Sequence, residues 1–175
     1  MKAAVHRFSQ GVRALFALTR SADLEMARQH LTRCEFDAFC SMSLPEQLHS
    51  LNVLRHVLKA DAAAPKELIA AALLHDVGKS SYHLAVWQKT LAVLIEAFAP
   101  QLCRKFSGEG TIRFWRAPFV VRQHHAKWGG ELLRDCNSNA TVVWLVEHHQ
   151  DDAERYRDHE LHSLLTSLQR SDGGS

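Results

Sequence analysis

The chain has 175 residues, 46% of them hydrophobic and 23% charged, with a formal net charge of +2. That is enough length for one domain with its own core, and too little charge to point to nucleic acid or an anionic membrane as partner. No charged-then-apolar leader pattern is present and polar residues interrupt every long apolar run, so a cytoplasmic protein without membrane association is expected.

Apolar residues recur at spacings of three and four along the chain, which predicts an all-α fold. Residues 3–19 carry Val5, Phe8, Val12, Leu15, Phe16 and Leu18 on one face, and residues 22–32 carry Leu24, Ala27 and Leu31. Residues 1–42 therefore read as an N-terminal helical extension, a lid or an oligomerisation arm, ahead of a domain spanning 43–175. Ser43 followed by Glu46 fits a capping box, with Pro45 in the first turn, and opens a helix to about Lys59. The segment 65–76 is apolar all round, the mark of a buried helix, and Gly78 supplies its stop. A helix over 83–98 ends at Pro100, 107–111 reads as a loop, and shorter helices are predicted at 117–126, 128–136, 139–150 and 158–171. The cysteines Cys34, Cys40, Cys103 and Cys136 show no C-x-x-C spacing and read as small apolar side chains in a reducing compartment.

Twelve histidines are the compositional anomaly. The buried helix ends in His75-Asp76-Val77-Gly78-Lys79. Adjacent side chains on a helix point about 100° apart, so His75 and Asp76 reach one ion only at a helix end. A buried carboxylate needs a counter-charge, which a metal supplies. Alone, such a pair reads as a solvent-facing cap and a turn. It is accompanied, however, by His49 on the preceding helix, by the doublets His124-His125 and His148-His149, and by Asp172 near the end of the last helix. His56 competes with His49 on the same helix, and His124 is a weaker candidate than His125. His6, His30, His83, His159 and His162 read as surface or incidental.

In this order, H…HD…H…HH…D, the chain resembles the HD-domain metal-dependent phosphohydrolase superfamily in its HDIG-type branch. The resemblance covers about residues 43–172. It rests on Gln47-Leu48-His49-Ser50-Leu51-Asn52-Val53, on the HD-V-G-K run, on His125-Ala126-Lys127-Trp128-Gly129-Gly130-Glu131-Leu132-Leu133, and on Leu168-Gln169-Arg170-Ser171-Asp172. It implies an HD-domain helical bundle that binds two divalent ions (iron, manganese or zinc), one held by His49, His75, Asp76 and Asp172. The other would be held by Asp76 as a bridge with His125, His148 and His149. The implied activity is hydrolysis of a phosphoester or phosphoanhydride in a small, nucleotide-like substrate, with a metal-bound hydroxide as nucleophile. Asp76 would be the shared ligand and Lys79 would offset charge on the scissile phosphate.

Two departures narrow the expectation. The HH doublet is followed by Gln150-Asp151-Asp152 rather than a Gly-Tyr-Pro signature, and Pro45 stands where a trinuclear site would need a carboxylate. Cyclic di-GMP is thereby disfavoured as substrate. Arg104, Lys105, Arg113, Arg116 and Arg122, with Phe114 and Trp115, form a candidate phosphate- and base-binding wall. Two other classes remain on this ligand set: a di-iron oxygenase of a small organic substrate, and a non-catalytic signalling or binding module.

Overall fold

The computed structural model describes residues 22–81 and 117–174, with side chains from residue 120 in the second segment. Seven α-helices and two 3₁₀ turns account for these residues, with no strand among them. Helices expected at 3–19 and 83–98, the loop at 107–111, His6, His83, Cys103 and the wall residues from Arg104 to Arg116 lie outside the described residues.

Helix α1 is short (Leu24–Arg28), and α2 (Arg33–Ser41) follows it. A single helix was expected over 22–32. A capping box explains the difference: the Thr32 backbone N–H donates to Glu35 Oε2 at 2.9 Å and the Glu35 N–H to Thr32 Oγ1 at 3.4 Å, which starts a new helix at Arg33. Phe36, Phe39 and Met42 are buried in the same core as the rest of the molecule, so the described part of the extension packs into the domain.

Two helical hairpins build the centre. In the first, α3 (Leu44–Ala60) starts at Ser43, whose backbone N–H and hydroxyl both donate to Glu46, and buries Leu51, Val53, Leu54 and Val57. After the turn at 61–65, α4 (Lys66–Leu74) buries Leu68 through Leu74 without a break, as its composition predicts. The second hairpin pairs α5 (Ala117–Asp135) with α6 (Ala140–His148). Its turn contains Asn137 at φ 54°, a left-handed conformation that asparagine tolerates better than most residues. Helix α5 runs unbroken where two helices, over 117–126 and 128–136, were expected, and Gly129 and Gly130 sit inside it against close neighbours. Helices α4 and α6 pack together, and α7 (His162–Gly173) lies across α3, α4 and α6.

Cys34 and Cys136 form a disulfide, with Cα atoms 5.5 Å apart and a sequence separation of 102. This corrects the reading of these two cysteines as isolated apolar side chains and removes the cysteine-based reason for expecting a reducing compartment. Spacing rules detect only local pairs; this one is made by α2 meeting the end of α5. Cys40 is free and exposed. No described helix is long and apolar enough to cross a membrane.

Candidate metal centre

Each side chain of the centre is placed by a helix end or a helix face. His75 is the C-cap of α4 and His149 the C-cap of α6, so both leave their helices where the backbone dipole is negative and favours a cation. Asp76 follows His75 and is carried into the 3₁₀ turn Val77–Ser81. His49 comes from the start of α3, His125 from within α5, and Asp172 from the last turn of α7.

The turn that holds Asp76 rests directly on α5. A Cβ added at Gly78 would lie 1.9 Å from the His125 carbonyl oxygen and 2.5 Å from the Gly129 nitrogen. Only glycine allows that approach, which is a stronger reason for Gly78 than a helix stop. It also explains Gly129 in the middle of a helix: a Cβ added there would lie 3.0–3.4 Å from Val146 Cγ1, Gly78 N and Val77 Cγ1.

The two oxygens of Asp76 face different partners. Oδ2 lies 3.6 Å from His75 Nε2 and 4.0 Å from His49 Nε2, while Oδ1 lies 3.3 Å from His125 Nε2 and 3.9 Å from His149 Nε2. Asp172 Oδ1 closes the first side, 2.9 Å from His49 Nε2 and 3.7 Å from His75 Nε2. Two groups with converging donor atoms result: His49, His75 and Asp76, and Asp76, His125 and His149. Asp76 belongs to both.

The protonation pattern fits a metal. His75 Nδ1 lies 3.1 Å from the Ala72 carbonyl, His149 Nδ1 lies 2.7 Å from that of Val146, and His125 Nδ1 lies 3.0 Å from those of Val121 and Arg122. A carbonyl only accepts, so each Nδ1 carries the proton and each Nε2 is left as a lone pair on the side of Asp76; that of His75 also lies 3.3 Å from His49 Nε2. His125 Nε2 is fully buried and, despite its 3.3 Å approach to Asp76, makes no well-aligned hydrogen bond. An orphaned buried lone pair beside a carboxylate is costly in a purely protein environment and is satisfied by a cation.

Electrostatics agree. Burial, and then neighbouring His75, push His149 down to about 3. Burial likewise lowers His75, although Asp76 and Asp172 pull the other way. For Asp76, burial works to raise the value, but His75, Lys79 and His125 outweigh it and hold the carboxyl well below its usual range. At neutral pH the carboxylate of Asp76 thus sits beside the neutral imidazoles of His75 and His149, which is the ligating state of each group.

Of the seven residues expected to ligate metal, the structure brings together His49, His75, Asp76, His125, His149 and Asp172. His148 joins neither group. Its Nδ1 lies 2.8 Å from Asp151 Oδ2 and from the Tyr156 hydroxyl, and its ring packs on Trp144. Adjacent residues at a helix end diverge, so one half of the doublet faces the centre and the other the turn that follows. Lys79 Nζ lies 2.6 Å from Asp76 Oδ2, so in this state its ammonium meets the shared carboxylate. His56 bonds the Ser171 carbonyl at 3.3 Å and holds the end of α7 next to Asp172. His124 stacks on Trp128 and His159 on Trp144, while His162 lies beside Thr166 and His30 is exposed. Asp151 and Tyr156, which bond each other and His148, and Gln169, which reaches this turn from α7, carried no signal in the sequence.

The HD domain family model matches residues 48–173, well over half of the chain. The chain belongs to the HD-domain family. HD domains are all-α and typically metal-dependent hydrolases, and this HD domain contains two groups of histidine and aspartate that could hold divalent metal. Searches of curated proteins and of solved structures gave no match.

Proposed function

We propose that this HD domain is a metal-dependent phosphohydrolase that cleaves a phosphoester or phosphoanhydride in a small, nucleotide-like substrate. The observation that carries the reading is the division of Asp76, one oxygen toward His49 and His75 and the other toward His125 and His149. One ion would be held by His49, His75, Asp76 and Asp172, and a second by Asp76, His125 and His149. Iron, manganese and zinc suit this mixture of imidazole and carboxylate. When bound, such ions activate water near neutral pH and polarise phosphoryl oxygens.

The chain's own residues do the rest. The backbone carbonyls of Ala72, Val121, Arg122 and Val146 hold the imidazoles in the ligating tautomer. Lys79 is about a third exposed and brings a positive charge beside the shared carboxylate, where it complements a phosphate entering from solvent. The test is phosphate release from a panel of nucleotides and phosphoesters by protein loaded with Mn²⁺, Fe²⁺ or Zn²⁺, beside Lys79→Ala. The expected result is turnover in at least one metal form, with Lys79→Ala retaining metal but losing rate. No turnover across the panel, or oxygen uptake with a small organic substrate by the iron form and no phosphate release, overturns the proposal.

A further inference from the structure

Helix α6 ends at His148, and the carbonyls of a helix's last turn lack partners within the helix. In the exit turn, the carbonyls of His149 and Asp151 accept hydrogen bonds from one side-chain nitrogen, Gln169 Nε2, at 3.1 and 2.7 Å. Gln169 sits on α7 three residues before Asp172, so the two side chains share a face of that helix. Asp172 bonds His49 at 2.9 Å on the first side of Asp76, while Gln169 grips the backbone of His149, which faces the second side at 3.9 Å. His149 is a cap residue outside the regular helix, so its backbone takes its position from what grips this turn.

We infer that Gln169 is a positioning residue that sets the separation of the two metal groups, so that α7 ties filling of one to filling of the other. The inference rests on the proposed reading that each group takes an ion. Without the amide donor, the turn at 149–151 shifts relative to α7 and loosens the group of Asp76, His125 and His149. The group of His49, His75, Asp76 and Asp172 keeps its geometry. Loss of an outer partner of a metal ligand typically weakens affinity by 10–100-fold.

The experiment is a Mn²⁺ titration of the metal-free full chain by calorimetry, with electron paramagnetic resonance to distinguish isolated from spin-coupled ions. Wild type is expected to take two ions and show the coupled signal. Gln169→Met keeps length but has no donor; it is expected to weaken the second ion about tenfold or more, leave the first within about threefold, and show isolated Mn²⁺. Gln169→Lys, which retains a donor, is expected to restore part of the coupled signal and serves if the methionine variant does not fold. A purely structural role would lower both affinities together, and that result overturns the inference. Two ions bound equally well by wild type and Gln169→Met also overturn it while leaving the two-ion reading standing. A single ion in wild type overturns both.

Discussion

Replacing Gly78 by alanine puts a methyl group where there is no room. The new Cβ would meet the His125 carbonyl oxygen at 1.9 Å, the Gly129 nitrogen at 2.5 Å and the His125 carbonyl carbon at 2.8 Å. All three are backbone atoms of α5, so no side-chain rotation relieves the clash, and the turn and the helix must part by more than an ångström. Overpacking in a tight core typically costs 1–3 kcal/mol; with rigid backbone on the far side, Gly78→Ala is expected to cost about 3 kcal/mol. For a chain of this size that lowers Tm by about 10 °C. The same displacement separates Asp76 from His125, now 3.3 Å apart, so metal affinity falls as well. Gly130→Ala is the control. Its Cβ would meet only Cγ, Cδ and Oε1 of Glu147, the far end of a side chain that can turn away. Giving up the surface pair between Glu147 and Arg134 costs under about 1 kcal/mol, roughly offset by the better helix propensity of alanine. Melting curves of both variants in chelator, with metal uptake measured separately, decide the matter. If Gly78→Ala is no less stable than Gly130→Ala, the turn does not rest on the backbone of α5.

Four further outcomes are expected. Asp76→Ala should hold no metal by elemental analysis, since it removes the shared ligand; a variant retaining two ions would contradict the bridging arrangement. His148→Ala should keep wild-type metal content while losing about 1 kcal/mol from the Asp151–Tyr156 turn in urea unfolding, and loss of metal would show that His148 reaches the centre. In chelator, stability should fall on acidification from pH 7 to 5.5. His75 and His149 are held neutral in the folded chain by burial, whereas in the unfolded chain they take up protons near 6.5, so the unfolded state binds more protons in this window. The loss is about 1 kcal/mol from His149, with His75 adding in the same direction, and equal urea midpoints at the two pH values would refute it. Cys34→Ser should cost up to about 4–5 kcal/mol, the chain-entropy value for closing a loop of 102 residues. A reductant should impose the same loss on wild type, and two titratable thiols at these positions in air-purified protein would refute the pairing.

The features legible in the sequence were those written locally. The Ser43–Glu46 capping box, the unbroken apolar run of α4 and the helix end at His75-Asp76 each follow from adjacent residues. The order of His49, His125, His149 and Asp172 then told which helices must converge on Asp76. What escaped depended on distant partners. The doublet His148-His149 is symmetrical in text, and only the exit geometry of α6 separates a residue facing the centre from one facing Asp151 and Tyr156. The helix over 33–41 is short and is started by the reciprocal Thr32–Glu35 contact. The helices expected over 117–126 and 128–136 are one, and the need for Gly129 inside it comes from distant neighbours, the backbone of Gly78 and the side chains of Val77 and Val146. Cys34 and Cys136 are joined only because α2 lies against the end of α5.

That covalent link has a mechanical consequence. It closes a ring containing His49, His75, Asp76 and His125, and leaves His149 and Asp172 on the open strand beyond Cys136. Pulled from its two ends, the oxidised chain would transmit force across the sulfur bridge and bypass the ring. About 350 Å of contour length, 102 residues at roughly 3.5 Å each, would stay out of the extension. A force trace in an optical trap should therefore lengthen by about that amount on adding reductant. Under load, the oxidised chain would surrender α6 and α7 with their two ligands first, while the other four stay looped together.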